Sequence, residues 1–112
     1  MHELAITESV VAAITDRLGD APVSRVDLEI GRLSGVVSDS VRFCFDLVVA
    51  GTSLAGAALL IVETPGRARC RACDAVSTVH DPLPLCPCGS ADVEVTGGQE
   101  LRIRSVEVAE HV

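Results

Sequence analysis

The 112-residue chain contains no Trp, no Tyr and no Lys, and only two Phe and one Met. A core without large rings must be filled by Val, Leu, Ile and Ala, and an apolar content of 48% supplies them, which excludes a disordered chain. Nine Arg against 16 Asp and Glu leave a formal charge of −7. Affinity for nucleic acid rests on cationic neutralisation of phosphates, so nucleic acid is not an expected partner. Long hydrophobic runs are missing as well. Leu47 to Ala50 and Ala57 to Val62 fall far short of the ~20 residues a bilayer span needs, and His2 and Glu3 do not fit the basic start of a signal peptide. The expectation is a cytoplasmic protein of one compact domain with a small stapled appendage, and no membrane partner.

Periodicity sets the elements. Leu4, Val11, Ile14 and Leu18 recur at helical spacing, and Gly19 to Pro22 close that helix. Val26, Leu28 and Ile30 alternate with Arg25, Asp27 and Glu29, as in a strand with one wet face. Ser38 is placed to cap a second helix with a Val41, Cys44, Phe45 and Val48 stripe, ended by Gly51. Ala57 to Glu63 is β-rich, and Pro65 with Gly66 marks a boundary. Val93 and Val95 open a strand that Gly97 and Gly98 turn back into Leu101 to Arg104 as a hairpin, after which the apolar phase slips to Val106 and Val108. Such a slip predicts a bulge or a change of neighbour. The expected fold is α+β: a small sheet of at least three strands with two helices on one face, interrupted by an inserted zinc-ribbon-like module of four cysteines. Residues 1–66 and 91–112 form the discontinuous α/β domain, and residues 67–90 the module.

Cys70, Cys73, Cys86 and Cys88 crowd into one short stretch, whereas Cys44 stands alone on a helical stripe and is assigned to packing. Four thiolates can close tetrahedrally on one ion, and soft sulfur with no required redox change suits Zn²⁺. Asp81, Pro82 and Pro84 make the intervening segment a loop with too little apolar content to fold without metal. The second pair is spaced C-x-C, and one fewer residue strains or removes the turn that points backbone N–H groups at sulfur. A variant in which His80 replaces one sulfur and a redox use of Cys70 and Cys73 remain alternatives at this point. Zinc with four thiolates makes the holo-protein more acidic still.

Met1-His2-Glu3 reads first as a frayed end. An imidazole at position 2 can also chelate with the free α-amine and the deprotonated His2 amide. Planar nitrogen ligands favour Ni²⁺ or Cu²⁺ over Zn²⁺, with Glu3 available for a fourth position. Such a site weakens as acidity rises, because its ligands must lose protons. His111 reads as solvated tail.

Taken together, the opening Met1-His2-Glu3-Leu4, the segment Ile30 to Gly35, the stretch Phe43-Cys44-Phe45-Asp46-Leu47-Val48 leading to Gly51, Pro65 before Cys70-x-x-Cys73, and the tail from Glu100 to Val108 resemble the HypA/HybF nickel metallochaperones of [NiFe]-hydrogenase maturation. The resemblance implies nickel cargo held at the chain start, with His2 as side-chain ligand, Met1 through its amine and Glu3 assisting. It implies structural zinc on Cys70, Cys73, Cys86 and Cys88, although the family has C-P-x-C where this chain has Cys86-Pro87-Cys88. It also implies the nickel-handling GTPase HypB and the hydrogenase large subunit as partners, and urease maturation in some organisms. Some members carry a His beside the cysteines; Asp74 and Gly89 occupy those places here, so that feature is not carried over.

Without a Gly-rich nucleotide loop or a Ser/His/Asp constellation, no catalysis is expected. The competing classes are a thiol-disulfide enzyme and a zinc-ribbon module that binds nucleic acid or protein. The first requires a reactive low-pKa thiol, the second salt-dependent binding.

Overall fold

The computed structural model describes residues 2–80 and 85–109. Its elements are α1 (Glu3–Leu18), β1 (Val23–Gly31), α2 (Ser38–Val48), β2 (Ala58–Thr64), β3 (Gly66–Cys70), β4 (Val76–Val79), β5 (Val93–Gly97) and β6 (Leu101–Val108). They make two three-stranded sheets, ordered β2-β1-β6 and β4-β3-β5. The radius of gyration is 17.5 Å and the longest extent 58 Å, against about 13 Å for the radius of gyration of one compact 100-residue body. The molecule is therefore two lobes end to end, the α+β body and the inserted cysteine module.

The first lobe holds the core. Val26, Leu28 and Ile30 of β1 meet Val10, Val11 and Ile14 of α1 and Val41 and Phe45 of α2 in one buried cluster, as expected for both helices laid over one sheet face. β1 and β2 run parallel, from Arg25 opposite Ala58 to Gly31 opposite Thr64. Parallel neighbours need a long crossover, and α2 is that crossover. On the other face polar groups satisfy one another: Arg25 Nε lies 2.7 Å from Asp27, whose other oxygen accepts the Ser105 hydroxyl at 2.7 Å, and Arg102 reaches Glu29 at 2.6 Å. Arg25 and Ser105 hold the Asp27 carboxyl down at about 2.

The predicted bulge is present in β6. Leu28 pairs with Ile103 and Asp27 with Ser105, which leaves Arg104 as the extra residue. That residue keeps Ile103 and Val106 on the same core-facing side, and both pack against the cluster.

Four expectations change. The Val93 to Arg104 hairpin does not form: β5 pairs with β3 and β6 with β1, so Gly97 and Gly98 carry the chain from one sheet to the other. Ser38 is the first helical residue of α2, and the cap position belongs to Val37, whose N–H is taken by the Glu3 carboxylate at 3.2 Å. Gly51 lies two residues beyond the cap Val49. In α1 the buried stripe includes Glu3 and Thr7 while Leu4 is exposed. The Thr7 hydroxyl donates to the Glu3 carbonyl at 2.7 Å, so burial leaves neither group unpaired.

The lobes join through two strands of chain. Arg32 N–H donates to Thr64 O at 2.9 Å and Leu33 N–H to Gly98 O at 2.7 Å. The Glu100 carboxylate accepts the Gly98 N–H at 3.0 Å and the Thr64 hydroxyl at 3.1 Å. Gly98 has φ +94°, and a side chain there would collide with the Gly66 backbone. Glycine is thus required by both conformation and space.

Candidate metal centres

The second lobe is built around its cysteines. β3 delivers Cys70, and two tight turns deliver the other three. Cys70 N–H donates to Ala75 O at 2.9 Å and Asp74 N–H returns to Cys70 O at 2.8 Å, with Asp74 at φ 62°. The second turn repeats this plan one residue shorter: Cys86 N–H to Ser90 O at 3.0 Å, Gly89 N–H to Cys86 O at 2.8 Å, and Gly89 at φ +95°. In each turn the residue after the second cysteine adopts the left-handed conformation, which glycine takes freely and Asp tolerates. The shortened spacing therefore keeps its turn. Cys88 N–H still points at Cys86 Sγ, 3.5 Å away. The Cys-x-Cys-Gly run carried this signal in the sequence.

The four sulfurs lie within 4.8 Å of one another, with Cys70 to Cys88 at 3.7 Å and Cys73 to Cys86 at 3.5 Å. A tetrahedron with Zn–S bonds of ~2.3 Å has edges of about 3.8 Å, so the donor set and its spacing fit one zinc ion. Among the described residues these cysteines form the one such cluster, and His80 stands exposed outside it. That removes the reason for a mixed cysteine and histidine ligand set. Cys44 is half-buried on α2.

Electrostatics explain why the cluster calls for a cation. The backbone N–H groups of Cys73 and Ala72 lower the Cys70 thiol to about 7. The N–H of Cys88 acts on Cys86 in the same direction, but the neighbouring Cys88 thiol and burial overcome it and push Cys86 up to about 12. Four sulfurs this close cannot all ionise alone; a divalent ion between them makes four thiolates compatible. A site closed by four sulfurs shapes the chain and leaves no open position for Lewis-acid chemistry.

In the first lobe, His2 is exposed at the cap position of α1, across a groove from Leu101 to Ile103 at the start of β6, and its carbonyl accepts the first helical bond from Ile6 N–H at 2.9 Å. Glu3 is buried, and its carboxyl is held at about 2, first by the amino-terminal ammonium and then by the Val37 N–H. The sequence marked Glu3 as a helper to a metal; the structure shows it also fastening the start of α1 to the segment entering α2. Met1 and His111 lie outside the described residues, as do Asp81, Pro82 and Pro84.

Two lobes, one built on a βαβ-containing core and one on a closed sulfur site, define a small α+β metal-binding protein. A family model described as "Hydrogenase/urease nickel incorporation, metallochaperone, hypA" matches residues 1–108. The chain belongs to the HypA family of metallochaperones. Similar curated proteins include the hydrogenase maturation factor HypA of Nostoc sp., 46% identical over 110 residues and covering 98% of this chain and 97% of its own length. That of Geotalea uraniireducens is 46% identical over 111 residues, covering 96% and 99%. The solution structure of the Ni metallochaperone HypA from Helicobacter pylori shares the fold, with a TM-score of 0.66 at 24% identity over 99% of this chain and 100% of that one.

Proposed function

We propose that the protein carries Ni²⁺ at its amino terminus and delivers it for [NiFe]-hydrogenase maturation, with a resident zinc ion on Cys70, Cys73, Cys86 and Cys88. The nickel ligands in this reading are the Met1 amine and the amide and imidazole nitrogens of His2, with Glu3 assisting. The observation that carries it is the placement of His2: a helix beginning at Glu3 leaves its first amide N–H groups without intrahelical acceptors. The His2 amide lies at that helix start, where the imidazole is exposed. Deprotonated amine and amide nitrogens with an imidazole form a planar strong-field set suited to Ni²⁺. Glu3 positions the chain start against α2 so that the chelating atoms are held together.

The same reading assigns residues 1–66 and 91–112 to the nickel-binding domain and residues 67–90 to the zinc module. The pairing of β5 with β3 supports extending the module to Gly97. The family membership supports the GTPase HypB and the hydrogenase large subunit as partners, with urease maturation a further use. A reducing cytoplasm is the compartment in which four ligand thiols stay unpaired. Delivery, and no catalysis, is the role.

The test is a nickel titration of His2→Ala beside wild type, followed calorimetrically. The variant is expected to lose stoichiometric nickel binding and to keep its zinc and its circular-dichroism spectrum. Unchanged nickel binding would refute the assignment.

A further inference from the structure

The helix layer presents an apolar surface that the sheet does not use. Phe43 is 69% and Leu47 61% exposed, one turn apart on α2, and Leu4 at the start of α1 is 49% exposed. Single exposed hydrophobics are ordinary. Here Leu4 and Phe43 line an open groove between the helices, about 400 Å³ in volume, together with Glu3, Asp39, Ser40 and Cys44, and Leu47 extends the apolar surface one turn beyond Phe43. Ser40 and Cys44, small, half-buried and one turn apart, make its floor, while Leu4 and Phe43 stand as its walls. The aromatic side chain lies open in a chain that has just two.

The rim is acidic. Asp39 is 95% exposed by side chain, and Glu8 and Asp46 are exposed on the same two helices. The α2 cation Arg42 is paired to Asp39 at 3.2 Å.

We propose that this groove docks an amphipathic helix of a partner protein. The helix sets a bulky apolar side chain between Leu4 and Phe43 and carries Lys or Arg one turn to either side, facing Asp39 and Asp46. Helix-in-groove recognition works through such spaced apolar anchors, and complementary rim charges set partner choice and encounter rate. A second copy of this chain is the wrong occupant: a two-fold contact through the patch would set Asp39 and Asp46 against their own equivalents, between two molecules of formal charge −7. The groove opens beside Glu3, so a docked partner lies next to the chain start. The proposal rests on the delivery reading above for its purpose and on the groove for its geometry.

The test uses the full zinc-loaded, nickel-free chain and a fluorescein-labelled peptide of about three helical heptads, built from Leu, Ala and Lys, with a matched peptide carrying Glu in place of Lys. Fluorescence anisotropy is expected to show binding of the Lys peptide that weakens with salt, and no binding of the Glu peptide. The surface pair Phe43→Ser with Leu47→Ser is expected to weaken binding by about tenfold or more, and Asp39→Lys with Asp46→Lys to favour the Glu peptide instead. Equal binding of the Lys peptide by wild type and the Phe43/Leu47 variant, or absence of binding, would overturn the proposal. So would sedimentation showing a dimer that the same variant dissolves. Nickel titration of these samples reads the delivery role separately, because neither Phe43 nor Leu47 is among the proposed nickel ligands.

Discussion

Removing zinc is predicted to melt one lobe and spare the other. The buried hydrophobic cluster draws on α1, β1, α2 and β2, and no residue of β3, β4 or β5 belongs to it. Besides the ligands Cys70 and Cys86, the buried hydrophobics among the described residues of the second lobe are Ala68 and Val79. A buried valine contributes about 1.5–3 kcal/mol and an alanine less, whereas structural zinc in small modules supplies about 10–16 kcal/mol of folding free energy. Metal therefore outweighs the lobe's apolar burial several-fold, and the ordering entropy of its strands cannot be met without it. Hydrogen–deuterium exchange read by mass spectrometry, before and after chelation, is the assay. Amides of Gly66–Cys70 and Val93–Gly97 are expected to lose protection by orders of magnitude while those of Val23–Gly31 keep theirs. Intact protection in β3 and β5, with metal analysis confirming that zinc has left, would refute the reasoning.

Two further perturbations probe the first lobe and the joint. Gly98→Ala places a methyl against the Gly66 backbone at φ +94°; left-handed strain alone costs about 1–3 kcal/mol, and the collision adds to it. Thermal melts are expected to show clear destabilisation, and an unchanged midpoint would mean that the joint yields freely. The Glu3 carboxyl is held at about 2 in the folded chain against an ordinary 4.5. It therefore contributes stability that is present above 4.5 and is lost as pH falls toward 2. Glu3→Gln is expected to be less stable at neutral pH and to show a shallower loss between pH 4.5 and 2 in denaturant titrations; parallel acid limbs in the two proteins would contradict this.

Local patterning made much of this molecule legible. The period-2 run of β1 and the Val41, Cys44, Phe45 and Val48 stripe of α2 depend on nearest neighbours, and both elements formed. The phase slip between Ile103 and Val106 was readable as a bulge or a change of neighbour, because side-chain alternation alone cannot keep both residues on one face, and the pairing register with β1 shows the bulge. The cysteine cluster was legible from spacing and chemistry alone. Strand partners were not. Val93–Gly97, a Gly-Gly pair and Leu101–Val108 carry every local mark of a hairpin, and nothing within them records that their partners lie at Gly66–Cys70 and Val23–Gly31. The burial of Glu3 and Thr7 was equally hidden, since helical periodicity counts apolar residues whereas these two are buried because Val37 N–H and the helix backbone satisfy them.

The most direct measurement is a calorimetric Ni²⁺ titration of untagged, zinc-loaded protein beside the same protein carrying one added residue before Met1. The extension moves the α-amine away from His2 without touching any side chain. One nickel ion bound per untagged chain, a large loss of affinity in the extended chain, and equal zinc in both are the expected results. Equal nickel affinity in the two proteins would contradict the amine-amide-imidazole site, even with the family membership intact.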